Sequence, residues 1–398
     1  MNINELRELD ALARADTKKF PLRRDTVAEL REARGHRFLG IVGPRGVGKT
    51  VILKQLAMEM ERSFYGSVDA FKDVSLFDLA KTLSEKQGLR ALLLDEVHFM
   101  PGFDGELKKI FDFLPDIQVI FTSSVALAMQ QSAYDLSRRV RLIQLLPFSF
   151  REFIRFKTGG APPRLTWESI ERGEWTSEHT RYEYLFDAYL KGGLFPFALT
   201  EPEPLEVLRS ILDTVLQRDI PSAGNVAYQE VDVIRKALTF IGRSAVDGIN
   251  PTNLARNLGI TRYKAISYID LLEKAFILIP VEPEGTNVLR EPKILMQTPY
   301  RLLFQPWNEA LGALREDFFA TAMGQANQLF HYLKSTTGKK TPDFKLTTES
   351  GDLVVEIGGV GKGRTQFKGI HVERKIVLAH EAGSRRNVKP LFLAGYLA

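Results

Sequence analysis

The sequence predicts an α/β fold built on a parallel sheet. Short apolar runs recur at residues 38–42 (FLGIV), 91–94 (ALLL) and 117–121 (IQVIF). Strands that are covered on both faces of a parallel sheet are apolar throughout, as these runs are. The first run is followed by a turn of small residues and then by residues 51–60 (VILKQLAMEM), which have helical spacing. A chain of 398 residues has the length of two to three domains.

The turn after the first predicted strand matches a phosphate-binding loop. Residues 43–50 read GPRGVGKT, which fits the pattern G-x-x-x-x-G-K-[ST]. Its glycines let the backbone bend and turn N–H groups toward phosphate, at the N-terminus of a helix that favours anions. Lys49 has the reach to contact β- and γ-phosphates, and the Thr50 hydroxyl is a ligand for Mg²⁺. The predicted contacts of a nucleoside triphosphate, taken as ATP, are Gly43, Pro44, Arg45, Gly46, Val47, Gly48, Lys49, Thr50 and Val51.

The second apolar run ends in two carboxylates, Asp95 and Glu96. A buried parallel strand ending at Asp95 places that carboxylate beside the Mg²⁺ bound with the nucleotide. Glu96 then polarises a water for attack on the γ-phosphate. The adjacent pair favours hydrolysis over passive binding.

The third apolar run leads into Thr122, Ser123 and Ser124. Hydroxyls at a strand end are placed to bond the attacking water or the γ-phosphate. They are equally suited to cap a helix predicted over residues 125–131. Both interpretations stay open, with Thr122 and Ser123 as catalytic candidates.

An arginine cluster follows, with Arg138, Arg139 and Arg141 at the start of another apolar strand. An arginine presented to the nucleotide of a neighbouring subunit stabilises charge in the transition state. The alternative is a solvated basic strand edge.

Taken in order, these motifs resemble those of prokaryotic AAA+ ATPases that carry a winged helix and a C-terminal restriction-endonuclease-like domain. The resemblance also includes residues 145–153 (LLPFSFREF) and 191–199 (KGGLFPFAL), and it extends from about Arg24 to the C-terminus. It implies an AAA+ core over residues 1–150, a helical lid with an insertion over 151–225, a winged helix over 226–300 and an α+β endonuclease-like domain over 301–398.

The resemblance also implies roles for single residues. Lys49 and Thr50 hold phosphate and Mg²⁺, Asp95 is the metal-side carboxylate and Glu96 is the catalytic base. Arg139 takes the place of the inter-subunit arginine, although Arg138 stands where the family has glycine. A Gly-Gly-x-Pro turn of the family, which contacts nucleotide in related ATPases, corresponds here to Gly193 and Pro196. Leu194 occupies the position of the second glycine, and the sequence offers no second arginine sensor beyond it.

Composition narrows the function classes. The chain is 44% hydrophobic and 26% charged, as in ordinary globular proteins. Because it has no cysteine, disulfides, thiolate zinc sites and cysteine nucleophiles are excluded. Its six histidines show no metal-ligand spacing and are interpreted as surface or packing residues. The start MNINELRELD lacks an apolar signal core, so we expect a cytoplasmic protein without a membrane partner. The net charge of +5 permits a polyanionic partner.

Beyond the core, the stretch 159–175 (GGAPPRLTWESIERGEW) is predicted to be an insertion or interaction loop. Three helices and a strand are predicted between residues 229 and 282, with helix starts after Asn250 and Thr261. This order is typical of a winged helix. Its third helix is expected to expose side chains suited to phosphate and base contacts, namely Arg262, Tyr263, Lys264, Ser267 and Tyr268. The alternative is that the helices only pack against neighbouring domains.

In the last hundred residues the endonuclease-like resemblance implies a metal site. Glu316, Asp343 and Glu356 correspond to carboxylates that gather around Mg²⁺ in that fold. Gly358 stands at the position of the family's lysine, and the nearest lysines in sequence are Lys362 and Lys368. We therefore expect a degenerate domain that does not cut DNA.

The predicted function is ATP hydrolysis with Mg²⁺ that drives conformational change in a homo-oligomer, a hexameric ring or spiral. Two other classes stay open. One is a Mg²⁺-dependent DNA nuclease regulated by ATP; the other is a DNA-binding switch protein whose ATPase controls assembly. The sequence leaves open whether DNA or a protein client is the partner.

Overall fold

The structure is a computed structural model that describes residues 3–32, 35–70, 74–124, 136, 138–224, 226–245, 249–285, 291–333, 341–358, 367, 373–380 and 387–398. The chain forms two compact units. The first comprises residues 1–147 and returns with residues 218–226; the second comprises residues 148–217 and 227–398. Four domains were predicted, and the three that follow the core fall mainly within the second unit.

The first unit contains a five-stranded sheet in the order β2-β3-β4-β1-β5. Its strands are β1 (Phe38–Val42), β2 (Ser63–Ser67), β3 (Ala91–Asp95), β4 (Gln118–Ser123) and β5 (Val140–Gln144). Every pairing in this sheet is parallel. The carboxyl ends of the strands therefore lie along one edge, where open α/β sheets place their ligands. The α/β fold with a parallel sheet is confirmed.

Helices cover the sheet of the first unit. They are α1 (Ile3–Asp16), α2 (Asp25–Glu32), α3 (Lys49–Glu59), α4 (Leu76–Gln87) and α5 (Phe103–Phe113), and helix α11 (Ile220–Gly224) belongs to the returning segment. The strands predicted from the apolar runs correspond to β1, β3 and β4, and the predicted helix to α3. Strand β2 was not predicted, because its sequence SFYGS contains no apolar run. The helix predicted over 125–131 lies outside the described residues.

An apolar core holds these layers together. Strand residues Leu92 and Leu94 pack in one buried cluster with Leu79 of α4 and with Leu107 and Ile110 of α5. All five are at most 4% exposed. Burying a leucine or isoleucine side chain contributes about 1.5–3 kcal/mol, so the cluster fixes the strand ends on which the polar residues lie.

The second unit begins with short helices. They are α6 (Phe150–Thr158), α7 (Trp167–Arg172), α8 (Ser177–Thr180), α9 (Phe186–Ala188) and α10 (Pro204–Thr214), with a π-helical turn at Tyr189–Gly193. The stretch 159–175 is only partly a loop, because Thr166 caps α7 with a capping box. Trp167 is 4% exposed and its ring lies 6.3 Å from that of Phe319. The Trp167 side chain is therefore part of the core.

Residues 228–296 form three helices followed by a strand pair. The helices are α12 (Tyr228–Arg243), α13 (Pro251–Leu258) and α14 (Arg262–Lys274), and the strands are β6 (Leu278–Val281) and β7 (Lys293–Met296). The strands pair antiparallel. The predicted helices, their starts and the first strand are confirmed at this level, while the winged-helix interpretation stays a prediction.

The rest of the second unit is a long helix and a mixed sheet. Helix α15 spans Trp307–Gln325, and the strands are β8 (Phe330–Tyr332), β9 (Phe344–Thr348), β10 (Gly351–Gly358), β11 (Arg374–Ala379) and β12 (Val388–Pro390). Their order is β12-β11-β10-β9-β8. Helix α15 packs on the sheet through Phe319, whose ring stacks on Phe344 at 5.0 Å. This α+β arrangement is compatible with the predicted class of the C-terminal part.

Among the described helices, none combines the length and the apolar character needed to cross a lipid bilayer.

Candidate active site

The phosphate loop connects β1 to α3 and is held close to neighbouring backbone. The Gly43 N–H donates to the Ser123 carbonyl at 3.3 Å. A Cβ atom on Gly43 would lie only 2.0 Å from the Leu145 carbonyl oxygen, so no larger residue fits there. Gly48, which precedes the first residue of α3, has φ +92°, in the left-handed region that favours glycine. The loop therefore has the backbone that its sequence pattern predicts.

Lys49 points back over this loop. Its ammonium donates to the carbonyls of Gly43 at 2.8 Å and Pro44 at 3.0 Å, and the residue is 4% exposed. Burial lowers the pKa of Lys49, while the negative charges of Glu96 and Asp95 oppose that shift. The Lys49 ammonium is thus held against the start of the phosphate loop, near the carboxylates of Asp95 and Glu96.

Asp95, at the end of β3, is the centre of a hydrogen-bonded cluster. Its Oδ2 atom accepts from the Thr50 hydroxyl at 2.7 Å and from the Tyr65 hydroxyl at 3.2 Å. Its Oδ1 atom accepts from the Thr122 hydroxyl at 2.5 Å. Burial raises the pKa of Asp95, and the bonds from Thr122 and Thr50 act against that rise. Three strands and the first turn of α3 therefore converge on one carboxylate.

The oxygen set at this point suits Mg²⁺. Mg²⁺ prefers hard oxygen ligands and is usually held by one or two protein groups together with substrate phosphates. The Thr50 hydroxyl at the end of the phosphate loop and the Asp95 carboxylate at the end of β3 are adjacent oxygen ligands for a metal ion. The residues present therefore fit an Mg²⁺ ion that is bound together with a nucleoside triphosphate.

Thr122 links Asp95 to Glu96. While its hydroxyl donates to Asp95, it accepts from the Glu96 backbone N–H at 2.9 Å. Thr122 is fully buried. These contacts place it between the Asp95 carboxylate and the Glu96 backbone. Ser123 contributes its carbonyl to the Gly43 N–H. The helix that the alternative interpretation would have them cap lies outside the described residues.

Glu96 has an unusual backbone. Its φ and ψ are +56° and +47°, a left-handed conformation that non-glycine residues rarely adopt. Its side chain is 18% exposed, and its Oε2 atom lies 3.1 Å from Nδ1 of His98. Residues held in sparsely populated conformations cluster at functional sites. Glu96 thus combines a rare backbone conformation with a partly exposed side chain, next to the buried Asp95.

Arg139 lies at the other end of the sheet. Because β5 runs parallel to β1 from Val140, the residue before it is at the amino edge, whereas the phosphate loop follows the carboxyl end of β1. Its guanidinium forms a bidentate pair with Asp112 of α5, with both N–O distances 3.0 Å. It also lies over the Phe111 ring, 5.7 Å from its centroid. This position excludes a contact with the phosphate loop of the same subunit.

Pro196 and Gly193 belong to the second unit. Pro196 begins a 3₁₀ turn, Pro196–Leu199. A Cβ atom on Gly193 would lie 2.8 Å from the Ala188 carbonyl oxygen and 2.9 Å from the Phe153 ring. Leu194, at the position of the family's second glycine, is fully buried, and its carbonyl accepts from the Phe148 N–H at 2.8 Å. The nucleotide contact predicted for Pro196 stays a prediction.

The returning segment brings charge to the phosphate loop. Arg45 forms a bidentate ion pair with the fully buried Asp219, at 2.6 and 2.8 Å. Its side chain, which was expected to contact nucleotide, is thus held within the protein. The Arg218 guanidinium lies 3.9 Å above the Phe99 ring centroid. Arg218 follows the turn at residues 193–196 in the chain and lies beside Phe99, a position that its Gln-Arg-Asp sequence does not indicate.

The C-terminal carboxylates lie close enough to affect one another's charge. Burial, followed by the charges of Glu316 and Glu356, raises the pKa of Asp343 well above its usual value. The Lys293 ammonium, from β7, bonds Glu316 at 2.7 Å. In the part of the chain that the structure describes, no group of three or more His, Cys, Asp or Glu side chains could hold a metal ion. The lysine beside these carboxylates comes from an earlier strand, while Lys362 and Lys368 lie outside the described residues.

The third helix of the 228–296 segment, α14, exposes Arg262, Tyr263 and Lys264 as predicted but not Tyr268. Tyr268 is only 2% exposed, so its expected exposure is wrong; its ring packs inward and its hydroxyl bonds Glu230 at 3.3 Å. Arg262 is ion-paired with Glu291 at 2.7 Å, and Lys264 is ion-paired with Glu230. The two basic side chains of this surface thus have acidic partners in the same unit.

Sequence reasoning missed three of these residues. Tyr65 lies on the unpredicted strand β2, and Asp219 lies far along the chain. His98 was interpreted as a surface or packing residue, yet its side chain is 2% exposed and directed at Glu96. The signal that was available for His98 is its spacing, two residues after the candidate base and just beyond a strand end.

Comparisons with known proteins agree with this geometry. Residues 35–154 match the profile of a family described as an AAA domain, and residues 183–302 match a domain of unknown function. No curated protein matches the chain.

Among solved structures, a Walker-type ATPase of Pyrococcus abyssi is 15% identical, with a TM-score of 0.45, and the match covers 70% of this chain and 94% of that one. The RuvB Holliday junction branch migration motor of Thermotoga maritima is 16% identical, with a TM-score of 0.25 and coverage of 70% and 90%. Similarity at this level carries no argument about activity. The segment similar to AAA domains contains the phosphate loop, Asp95, Glu96, Thr122 and Arg139.

Proposed function

We propose that this protein binds and hydrolyses ATP with Mg²⁺, and that the reaction drives conformational change in a homo-oligomer, a hexameric ring or spiral. One observation carries the proposal. The phosphate loop, a carboxylate bonded to the loop's own threonine, and a second, partly exposed carboxylate lie together at the carboxyl edge of one parallel sheet. A passive nucleotide site does not need the second carboxylate.

Each residue has a separate task in this reaction. Lys49 and the loop N–H groups hold the β- and γ-phosphates. Glu96 accepts a proton from the attacking water. The water oxygen forms a bond to the γ-phosphorus as the bond to the bridging oxygen breaks, leaving ADP and phosphate. Thr122 holds the backbone of Glu96 and the carboxylate of Asp95 in one arrangement.

Thr50 and Asp95 would hold Mg²⁺. When bound, the ion neutralises charge that develops on the phosphate oxygens. The Tyr65 hydroxyl fixes the Asp95 carboxylate from the side of β2.

The two alternatives that act on DNA have weaker support. Of the expected DNA contacts, Arg262 and Lys264 are paired with glutamates and Tyr268 is buried. Of the carboxylates expected to form a nuclease site, Glu316 is bonded to Lys293 and Asp343 accepts from the Ile357 backbone N–H, and among the described residues no group of three ligands fits a metal ion.

Two substitutions test the ATPase. We expect Lys49→Ala to abolish nucleotide binding, because it removes the buried ammonium. We expect Glu96→Gln to bind ATP like the wild type but to lose turnover by about 10²-fold or more, because the amide cannot accept the proton. The measurements are titration with a fluorescent ATP analogue and steady-state release of phosphate.

Lys109→Ala is the matched control for Lys49→Ala, because Lys109 pairs with Glu106 on an exposed face of α5. It should leave binding and turnover unchanged. Normal hydrolysis by the Glu96→Gln protein would contradict the proposal directly.

A further inference from the structure

His98 has a position that the proposed reaction does not yet use. It lies in the 3₁₀ turn Val97–Phe99 that follows β3, and its side chain is 2% exposed. The ring is in contact with the Phe99 ring at a centroid distance of 4.0 Å. A buried polar ring at the carboxyl edge of the sheet has to be satisfied by polar neighbours or it destabilises the fold.

Its polar neighbours are a carboxylate and a hydroxyl. Nδ1 lies 3.1 Å from Oε2 of Glu96, and Nε2 lies 3.4 Å from the Ser124 hydroxyl. Glu96 has a left-handed backbone and directly precedes the 3₁₀ turn that contains His98. The contact therefore lies at a backbone position that non-glycine residues rarely adopt.

The neighbours also decide where the ring proton is. A carboxylate that is to take a proton from water offers acceptor atoms only, so a bond from His98 to Glu96 requires the proton on Nδ1. Nε2 then has the lone pair and accepts from the Ser124 hydroxyl. Burial lowers the pKa of His98 to about 4, so the ring is neutral at physiological pH and one tautomer suffices.

We propose that His98 is a positioning residue that holds the Glu96 carboxylate in place for proton abstraction, with Ser124 fixing the ring from the other side. This inference rests on the proposed ATP hydrolysis. The Glu96 Oε2 and His98 Nδ1 atoms are buried and close, without the alignment of a full hydrogen bond. Hydrogen bonds that serve catalysis are often long or poorly aligned without substrate and tighten in the reacting complex.

The competing explanation is that His98 only fills space. A packing residue can be replaced by an apolar side chain of similar volume, whereas a positioning residue needs its donor. His98→Leu keeps the bulk and removes the donor. His98→Asn keeps a donor, because its amide nitrogen is attached at the same point of the side chain as Nδ1.

The test measures kcat, KM and the affinity for a fluorescent ATP analogue on the full chain. We expect His98→Leu to lower kcat by roughly 10- to 100-fold, because misplacing a reacting group by about 1 Å costs rate of this order. Its nucleotide affinity should stay within about twofold of wild type, because His98 contacts the catalytic base Glu96 and not the phosphate loop. His98→Asn should recover most of the lost kcat.

Two further variants extend the test, and the first of them does not depend on whether His98→Leu folds. Ser124→Ala should lower kcat by a few-fold, since it frees the far side of the ring. Adding His98→Leu to Glu96→Gln should cause no further loss, because residues that act through one step are not additive.

Suppose that Glu96→Gln has lost turnover, so that the proposed function stands. A wild-type kcat in His98→Leu, or equal losses of kcat in His98→Leu and His98→Asn, then overturns only the inference about His98. Full additivity with Glu96→Gln does so as well. If the wild-type chain itself does not hydrolyse ATP, or Glu96→Gln turns over normally, the proposed function is overturned and this inference with it.

Discussion

At the scale of single residues, the sequence reveals those whose role depends on their position along a strand. Asp95 and Thr122 were predicted because each ends an apolar run, and parallel strands end at one edge of a sheet. Tyr65 and His98 could not be found in this way. Tyr65 lies on a strand without an apolar pattern, and His98 follows a glutamate with a left-handed backbone. Backbone conformations of that kind have no signature in residue type.

The buried state of His98 predicts a dependence of stability on pH. The ring faces Glu96 and is surrounded by the charges of Asp219, Arg45, Lys49 and Arg218. Its pKa is lowered from 6.5 to about 4, so the stabilisation is fully present above pH 6.5 and is lost as pH falls toward 4. Between pH 7 and pH 5 the folded state should lose about 2 kcal/mol through this group.

The measurement is chemical denaturation of the full chain at both pH values, for wild type and His98→Asn. The variant cannot be protonated at this position, so its stability should fall by about 2 kcal/mol less than that of the wild type. An identical fall in the two proteins would show that His98 is not buried as a neutral ring.

At the scale of elements, prediction succeeds where a local signal sets the boundary. Asn250 and Thr261 were predicted to start helices, and each caps its helix by accepting from the backbone N–H three residues on, at 2.8 and 3.2 Å. Gly259 ends α13 in the left-handed conformation. The stretch 159–175 was misjudged because Gly and Pro suggest a loop, while tertiary packing of Trp167 made part of it a helix.

The contact between the phosphate loop and the segment after β5 is another feature of elements that the loop motif does not reveal. The two backbones approach so closely that Gly43 has no room for a Cβ atom. We expect Gly43→Ala to destabilise the fold by roughly 2–3 kcal/mol, or to displace the loop and weaken ATP binding. Thermal unfolding and nucleotide titration measure both effects.

Gly105→Ala provides the control. Gly105 is in α5, and a Cβ atom there meets nothing within 4 Å. Alanine in a helix is favoured over glycine by about 1 kcal/mol, so this variant should be as stable as the wild type or more stable. A Gly43→Ala protein with the stability and affinity of wild type would mean that the two backbones can separate without cost.

At the scale of the whole molecule, the order of motifs predicted a nucleotide-binding core followed by helical and α+β parts. It did not predict that residues 218–226 return to the first unit. The returning segment contains Asp219, which forms an ion pair with Arg45, and a pairing between residues so far apart in the chain leaves no local pattern. The same holds for Lys293, which meets Glu316 from an earlier strand.

Arg139 connects the site to the proposed assembly. It lies at the amino edge of the sheet, so any contact with nucleotide has to be with that of a neighbouring subunit. We expect Arg139→Ala to lower kcat by at least about tenfold without loosening nucleotide binding, because a trans arginine stabilises charge that exists only in the transition state. Turnover per subunit of the wild type should also rise with protein concentration across the range in which light scattering detects assembly.

Two controls separate this role from a structural one. Arg141→Ala removes an exposed arginine of the adjoining strand β5 and should change nothing. Asp112→Asn removes the charge partner of Arg139 but leaves the arginine, so a trans arginine keeps its activity in that variant. If the pair with Asp112 is purely structural, Asp112→Asn and Arg139→Ala will lower the unfolding temperature alike and leave kcat unchanged.

Turnover per subunit that is the same at all protein concentrations would also contradict a trans role, because a lone subunit has no second nucleotide for Arg139 to reach.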